Sequence, residues 1–270
     1  MELSSTGLTL RFWKAEDSDY LQAYLELVIF KFLSWMLVIS LLRAMFTPPG
    51  TISNDLALEL EYREGPRQYV LIGESLIHRI RSKGYVEKKQ SSLPRYCKSC
   101  MVLKPDRSHH CKFCKGCVLK MDHHCPYLNN CVGLHNYKFF MNSLIYGVLC
   151  GLMVSLTMWK GMIKIWEDNS KELLEQVMVG NIYFGQLILN LVLIIFFLFH
   201  CYLIYNNLTT IEFREKLEVK FDRSPYSTTP YGNFISIFGP NPLKWFLPFS
   251  AEQDTDMTFR ITEEEGQRKH

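Results

Sequence analysis

The sequence predicts an α-helical integral membrane protein, in which a helical transmembrane bundle carries a polar, cysteine-rich domain. Two long segments, Phe139–Trp159 and Ile182–Tyr205, contain no Asp, Glu, Lys or Arg over 21 and 24 residues. A helix rises ~1.5 Å per residue and a hydrocarbon core is ~30 Å thick, so each segment is long enough to cross a bilayer. Seven of the nine cysteines lie within Cys97–Cys131, which places the polar domain just before the first of these segments.

A third span is predicted near the N-terminus. Leu27–Phe46 is apolar apart from Lys31 and Arg43, which lie near its ends, where long cationic side chains reach the headgroups. Thr47-Pro48-Pro49-Gly50 follows, and a helix does not run readily through two prolines. The predicted spans are 21–46, 138–159 and 182–205, preceded by an N-terminal segment at 1–20.

The distribution of charge predicts the orientation. Residues 47–137 carry fourteen Lys and Arg, and basic flanks of a span favour the cytosolic side. The connection at 160–181 has four acidic residues and three lysines, which suits the lumenal side. We therefore expect a cytosolic linker at 47–95, a cytosolic cysteine-rich domain at 96–137, a lumenal loop at 160–181 and a cytosolic tail at 206–270.

Composition narrows the class of partner. The formal net charge of +3 is small and its basic residues are scattered, which argues against nucleic acid and leaves the lipid bilayer as the expected environment. The sequence pattern indicates no internal repeat and no low-complexity tract. Within the spans, we expect His200 to hydrogen-bond to a neighbouring helix and Cys150 and Cys201 to be packing residues.

The cysteine-rich domain has the spacing of zinc ligands. Pairs separated by two residues occur at Cys97–Cys100, Cys111–Cys114 and Cys114–Cys117, and this spacing lets one tight turn aim two thiolates at one ion. Stable disulfides are rare in the reducing cytosol, so metal is the better interpretation. Seven thiols and four imidazoles make eleven candidate ligands, whereas two closed tetrahedral sites need eight. Three groups are left over.

The surplus can be sought in KMDHHCPYLNN, residues 120–130. Adjacent residues of an extended chain point in opposite directions, so His123 and His124 are not expected to serve one ion. If His124 binds metal, Asp122, His123 and Cys125 remain. A thiol needs a base to supply thiolate, and an imidazole needs a carboxylate to fix its tautomer, so these three types make an activated nucleophile. The alternative is a plain zinc module with a spare cysteine.

One long stretch and two short motifs carry a family resemblance. Residues 96–140 read YCKSCMVLKPDRSHHCKFCKGCVLKMDHHCPYLNNCVGLHNYKFF, and TTIE and GNFISIFG follow at Thr209–Glu212 and 232–239. Together they resemble the DHHC family of protein S-acyltransferases, or palmitoyltransferases. The resemblance covers most of the chain from about residue 20, although 47–93 and 250–270 carry none of the family's motifs.

The resemblance implies a fold and two structural zinc ions. It implies that the membrane helices carry a cytosolic zinc-binding domain of short strands and loops. By analogy with the family, one zinc is held by Cys97, Cys100, His110 and Cys117, and the other by Cys111, Cys114, His124 and Cys131.

The resemblance also implies roles for single residues. Cys125 corresponds to the acyl-accepting nucleophile, His123 to its base and Asp122 to the group that orients the histidine. Thr210 corresponds to a threonine near the aspartate, and Asn233 to a tail asparagine that we expect to be structural.

The implied reaction is protein S-acylation. Palmitoyl-CoA is the expected donor, and the acyl group passes through acyl-Cys125, a lipoprotein intermediate, to cytosolic cysteines of membrane-associated proteins. The expected location is an endomembrane, the Golgi or the endoplasmic reticulum first, with the plasma membrane as a further option.

The sequence departs from the family pattern at three places. Tyr127 stands where most members have tryptophan, and the turn at 47–50 replaces aspartate-proline-glycine. The family usually has four spans and this sequence shows three, which suggests a truncated or spliced form with a lumenal N-terminus. The alternatives are therefore a catalytically impaired form or a zinc-module adaptor that binds proteins at the membrane, and an accessory subunit or self-association stays open.

Overall fold

In the described part of the chain, three long helices form the membrane bundle. The computed structural model describes residues 17–52, 95–168, 172–219, 224 and 226–250. The long helices are α1 at Asp17–Phe46, α2 at Tyr137–Glu167 and α3 at Leu173–Tyr205. Each is long and apolar enough to cross a bilayer, and α2 packs against both of the others. The predicted fold, a helical membrane bundle with a cysteine-rich domain, is confirmed, while most of the predicted linker lies outside the described residues.

The helices extend further than the predicted spans. α2 continues beyond Trp159 to Glu167, and α3 begins at Leu173 instead of Ile182. Helix therefore covers most of 160–181, where the sequence predicts a lumenal loop. Charged residues such as Lys160 end the apolar stretch, but lysine and glutamate are good helix formers and do not end a helix. The membrane boundaries themselves remain a prediction.

The end of α1 is fastened to the cysteine-rich domain. The helix stops at Phe46, before the two prolines, as the sequence predicts. The last carbonyl groups of a helix have no partner within it. The side-chain amides of Asn130 and Asn136 donate hydrogen bonds to these carbonyls. The accepting residues, at N···O distances of 3.2, 3.0 and 3.1 Å, are Ala44, Met45 and Thr47.

Three short antiparallel hairpins make up the cysteine-rich domain. Their strands are β1 at Tyr96–Cys97, β2 at Val102–Leu103, β3 at His109–Cys111, β4 at Gly116–Val118, β5 at His123–Cys125 and β6 at Asn130–Val132. A residue with positive φ lies in the turn of each hairpin, at Met101, Lys115 and Asn129.

The hairpins form a repeat of 14 residues, so the prediction of no internal repeat is wrong. The pairs next to the three turns are Cys97 with Val102, Cys111 with Gly116, and Cys125 with Asn130. The turn residues with positive φ have the same spacing. The sequence itself carries the repeat: CKSC at 97–100 recurs as CKFC at 111–114, and HHC at 109–111 recurs at 123–125. These matching motifs, and not the apolar pattern, reveal it.

The tail returns to the bundle after α3. It contains α4 at Thr210–Val219, α5 at Pro230–Phe238 and a short 3₁₀ turn at Pro242–Lys244. Beyond that turn the backbone is held by α2: the Lys138 amine donates to the carbonyls of Lys244 and Phe249 at 2.7 and 3.0 Å, and the Tyr146 hydroxyl donates to that of Phe246 at 2.7 Å. Non-helical backbone beside a membrane helix needs such internal partners.

We predict that Asn136→Ala loosens the junction between α1 and the cysteine-rich domain. Asn136 is fully buried, and its side chain bonds to Gly133, Cys131 and the end of α1. Removing the side chain leaves buried backbone groups without partners, which lowers the free energy of unfolding by about 2 kcal/mol. Thermal unfolding in detergent should show a lower midpoint than for Asn181→Ala, a matched change at an exposed position. Equal midpoints would contradict the role assigned to Asn136.

Candidate active site and metal centres

Two groups of cysteine and histidine have the geometry of tetrahedral metal sites. In each group the four ligand atoms lie within 4.8 Å of one another. The groups are Cys97, Cys100, His110 and Cys117, and Cys111, Cys114, His124 and Cys131. A tetrahedral ion bound at ~2.0–2.3 Å holds its ligands roughly 3.5 Å apart. The Nδ1 atoms of the two histidines lie 3.2–3.6 Å from sulfurs of the first two cysteines in their groups.

The chemistry of these groups fits zinc. Three thiolates and one imidazole form a common structural zinc set, and both groups have this composition. Each group takes two cysteines from one hairpin, one at the end of its first strand and one in its turn, and a histidine and a cysteine from the strands of the next hairpin. A bound ion would therefore link consecutive hairpins, and two ions would link all three.

Strand β5 sends its two histidines in opposite directions. Side chains alternate along a strand, so His124 faces one side while His123 and Cys125 share the other. His124 points to the second metal group, where its ring also stacks on Phe113 with centroids 4.7 Å apart. His123 points to Asp122. His124 is thus a potential metal ligand, whereas His123 faces away from the metal group.

A chain of polar contacts leads from Cys125 to the tail. The Asp122 carboxylate is 1% exposed, and the His123 Nδ1 atom lies 2.6 Å from its Oδ2. The backbone N–H of Thr210 donates to Oδ1 at 2.8 Å, and its hydroxyl donates to Oδ2 at 2.7 Å. The His123 side chain also interacts with the Cys125 thiol. The four residues come from two distant parts of the sequence and meet at one point.

The surroundings favour the charged forms of these groups. Burial acts to raise the pKa of Asp122, but the hydrogen bond and charge of His123 and the Thr210 hydroxyl hold that pKa below its ordinary value. Burial acts to lower the pKa of His123, but Asp122 and Cys125 raise it to about 9. Burial acts to raise the pKa of Cys125, but His123 and backbone N–H groups lower it. The arrangement therefore stabilises a thiolate beside an imidazolium.

The TTIE motif explains how Asp122 is held. Thr209 and Glu212 form a capping box, because the Glu212 N–H donates to the Thr209 hydroxyl at 3.2 Å and the Thr209 N–H donates to the Glu212 carboxylate at 2.9 Å. This fixes the first turn of α4, where Thr210 is the first helical residue. The carboxylate of Asp122 thus lies at a helix N-terminus, where the helix dipole favours negative charge.

Sequence reasoning missed Arg107, which locks this helix in place. Its guanidinium is buried and donates to both carboxylate oxygens of Glu212, at 2.7 and 2.8 Å, and to the Asn207 side chain at 3.0 Å. It also lies over the ring of Tyr226, 4.6 Å from the centroid. Arg107 lies between β2 and β3, in the stretch PDRSHH, and nothing in that stretch indicates a partner in the tail.

The Cys125 side of the site faces the helix bundle. Cys125 is 8% exposed and packs in a cluster with apolar residues of α1, α2 and α3. The His123 ring meets the edge of Phe140, with centroids 5.3 Å apart. His200 lies beside it and pairs with the Tyr137 hydroxyl at 2.9 Å, which confirms the predicted hydrogen bond between helices.

Asn233 lies outside this constellation. Its amide donates to the carbonyl of Tyr205 at 2.7 Å, and its side-chain oxygen accepts from the N–H of Thr228 at 2.9 Å. The residue thereby caps the end of α3 and joins it to α5. Its position agrees with the structural role expected from the sequence.

Comparison with known proteins places this geometry in a family. A protein-family model described as DHHC palmitoyltransferase matches residues 90–217. The probable protein S-acyltransferase 13 of Arabidopsis thaliana is 34% identical over 242 residues, which cover 87% of this chain and 76% of that protein. The chain belongs to the DHHC palmitoyltransferase family. Palmitoyltransferase ZDHHC20 of Bos taurus is 33% identical over 248 residues, covering 88% of this chain and 67% of that protein. Because the described residues include three helices long and apolar enough to span a bilayer, the chain is an integral membrane member of the family.

We predict that Glu212→Gln destabilises the protein in a pH-dependent way. The change leaves the buried Arg107 without its counter-charge, which costs about 3 kcal/mol. Burial acts to raise the pKa of Glu212, but Arg107 holds it below its ordinary value, so the ion pair contributes at neutral pH and its contribution is lost as pH falls through that lowered pKa. The difference in unfolding midpoint between native and variant should be large near pH 7 and shrink in acid.

Thermal unfolding at several pH values checks this, with Glu167→Gln as an exposed control. Protonation of the cysteine and histidine groups affects native and variant alike, so it cancels in the difference. A midpoint difference that does not change with pH would exclude the ion pair as its source.

Proposed function

We propose that this chain is a protein S-acyltransferase that moves a long-chain fatty acyl group, palmitoyl, from acyl-CoA through acyl-Cys125 to cysteines of membrane-associated proteins. The observation that carries the proposal is the buried chain of contacts from Thr210 through Asp122 and His123 to Cys125. Such a chain supplies a thiolate and keeps its histidine in one orientation. Family membership supports the same class of reaction.

In the first step, the Cys125 thiolate attacks the thioester carbonyl of acyl-CoA. A new carbon–sulfur bond forms, the bond to the coenzyme A sulfur breaks, and His123 gives its proton to the leaving thiolate. Asp122 fixes the tautomer, because its carboxylate holds Nδ1 and leaves Nε2 for the sulfur. One thioester replaces another, so little bond energy is gained and the rate depends on positioning and thiolate supply.

In the second step, the thiol of a protein substrate takes the place of coenzyme A. His123 accepts the proton of that thiol, the resulting thiolate attacks acyl-Cys125, and Cys125 leaves as thiolate. The enzyme returns to its starting protonation state. A cytosolic cysteine near the bilayer is the expected acceptor, since Cys125 lies where the hairpins meet the helix ends.

The location of Cys125 suits acyl-CoA, a donor with an apolar acyl chain and a polar coenzyme A portion. Its thiol packs against the apolar residues at one end of the bundle, while the polar hairpins lie on its other side. The acyl chain would lie among the helices and the coenzyme A portion in water. This requires the cytosolic orientation of 96–137 that its basic residues favour, and we place the protein in an endomembrane, the Golgi or the endoplasmic reticulum.

Zinc would have a structural role in this scheme. The two Cys/His groups would hold the ions and thereby fix the three hairpins relative to one another. All eight ligands are side chains of this domain, which leaves no open position of the kind that catalytic zinc sites keep. The chemistry belongs to Cys125 and His123.

The adaptor alternative does not account for the polar contacts. A zinc module that only binds proteins needs no buried carboxylate, yet Asp122 is 1% exposed and held by His123 and Thr210. Burial of a charge without such partners is costly. The arrangement therefore favours the enzyme.

We predict that Cys125→Ser abolishes formation of a hydroxylamine-sensitive acyl-enzyme while both zinc ions are retained. The serine hydroxyl is far less nucleophilic than a thiolate, and its position on β5 is not in either metal group. His123→Ala should slow acylation by about 10²-fold through the loss of thiolate and of the proton donor. The measurement is incorporation of labelled palmitoyl-CoA with and without hydroxylamine.

Cys150→Ser is the matched control, because Cys150 is a buried thiol of α2 outside the site. It should acylate at the native rate. A labile acyl thioester that persists in Cys125→Ser would show that another residue is the nucleophile.

We predict two zinc ions per chain and a loss of folding in Cys114→Ser. Cys114 is exposed and makes few apolar contacts, so its removal disturbs folding chiefly through the metal. Elemental analysis should give a zinc count near two for the native protein, and thermal unfolding should show a much lower midpoint for Cys114→Ser than for Lys112→Ser, a nearby exposed position. A native count of one or none would contradict the paired sites.

A further inference from the structure

The proposed nucleophile lies at a metal-ligand position of the 14-residue repeat. Cys97 and Cys111 occupy the first ligand position in the first two hairpins, and each belongs to a metal group. Cys125 is the residue at this position in the third hairpin, with the same strand pairing. It differs from the other two in belonging to neither metal group of the described residues. The backbone around Cys125 matches that around Cys97 and Cys111, so the neighbouring side chains must determine whether this sulfur binds a metal.

The three hairpins present this sulfur in the same way. Backbone N–H groups two and three residues further along the chain interact with it in every case. These N–H groups belong to Ser99 and Cys100, to Phe113 and Cys114, and to Tyr127 and Leu128. The turn closes one residue later with a positive φ in all three. The third hairpin is thus a complete metal-binding knuckle in its backbone.

The side chains of the third knuckle are not those of a metal site. The second ligand position holds Cys100 and Cys114 in the first two hairpins and Leu128 in the third. The remaining two ligands of each group come from the next hairpin, and the residues at the corresponding positions after β6 are Lys138 and Ile145, which belong to α2. Leu128 is 4% exposed and packs with Cys125 and Phe140 in the apolar cluster.

We propose that Leu128 is the residue that keeps zinc away from the nucleophile. This inference rests on the proposed zinc ligands and on the proposed role of Cys125. A cysteine at 128 would restore a pair with two intervening residues on a backbone already shaped for metal, and His123 stands beside Cys125 as a third ligand. A zinc-bound sulfur shares its electron pair with the ion and is a poor nucleophile. Because the apolar side chain of Leu128 offers no ligand atom, zinc does not bind at the third knuckle. The Cys125 sulfur therefore stays available for acylation.

The test compares zinc content and acylation in Leu128→Cys and Leu128→Ser. Serine matches cysteine in size and removes the same apolar contacts, but it is a weak zinc ligand. Full-length protein in detergent is equilibrated with zinc sulfate, freed of excess metal by gel filtration and analysed for zinc per chain. We expect about three ions in Leu128→Cys and about two in Leu128→Ser, with acylation of Cys125 about tenfold or more lower in the cysteine variant. Limited chelation that brings the count back to two should restore acylation.

A second variant, Leu128→His, offers an imidazole at the same position and should also exceed two ions. Counts of two in both the cysteine and histidine variants, with acylation equal to that of Leu128→Ser, would overturn the proposal. So would a count below two confined to Leu128→Cys, because the new thiol would then disturb the existing sites instead of completing a third. The native protein is measured in parallel: a native count other than two, or native protein without acyl-Cys125, would instead reject the proposed function.

Discussion

The alternation of side chains along β5 is the constraint on which the site depends. Three consecutive residues, His123, His124 and Cys125, must serve two tasks, and a strand turns each neighbour to the opposite face. Pairing with β6 fixes this alternation, and the second metal group holds the central residue in place. A shift of register by one residue would exchange the two faces and place the wrong histidine at Asp122. Rigid pairing is therefore a requirement for both the metal site and the polar contacts.

Buried asparagine side chains extend this rigidity to the helices. The C-terminal ends of α1 and α3 leave carbonyl groups that lipid cannot satisfy and that water reaches poorly beneath the hairpins and tail. Asn136 serves the end of α1, and Asn233 serves the end of α3. An amide suits this position because it can donate to a carbonyl and accept from an N–H at once. Gly133 is part of the same junction, since an added Cβ would lie 2.7 Å from the Pro49 carbonyl.

Local patterns in the sequence predicted much of the site, whereas contacts between distant segments could not be predicted from them. Apolar length predicted three helices, and the surplus of ligands together with alternation left His123 and Cys125 free beside Asp122. The pairing of Arg107 with Glu212 joins residues 105 positions apart, and no local pattern indicates which acidic residue a given arginine will meet. α2 and α3 run beyond the predicted spans for a different reason: loss of apolar character marks the end of a membrane stretch and not the end of a helix.

The 14-residue repeat suggests how one backbone can carry two kinds of cysteine. A knuckle whose N–H groups point at sulfur stabilises negative charge there, whether that charge then binds a metal or attacks a carbonyl. In the first two hairpins the following hairpin completes the ligand set. After the third, the chain enters α2, and aromatic residues such as Phe140 cover the knuckle in place of further ligands. The same change of partner that leaves the third knuckle without metal ligands places the sulfur against the long helices, where the proposed reaction would receive an acyl chain.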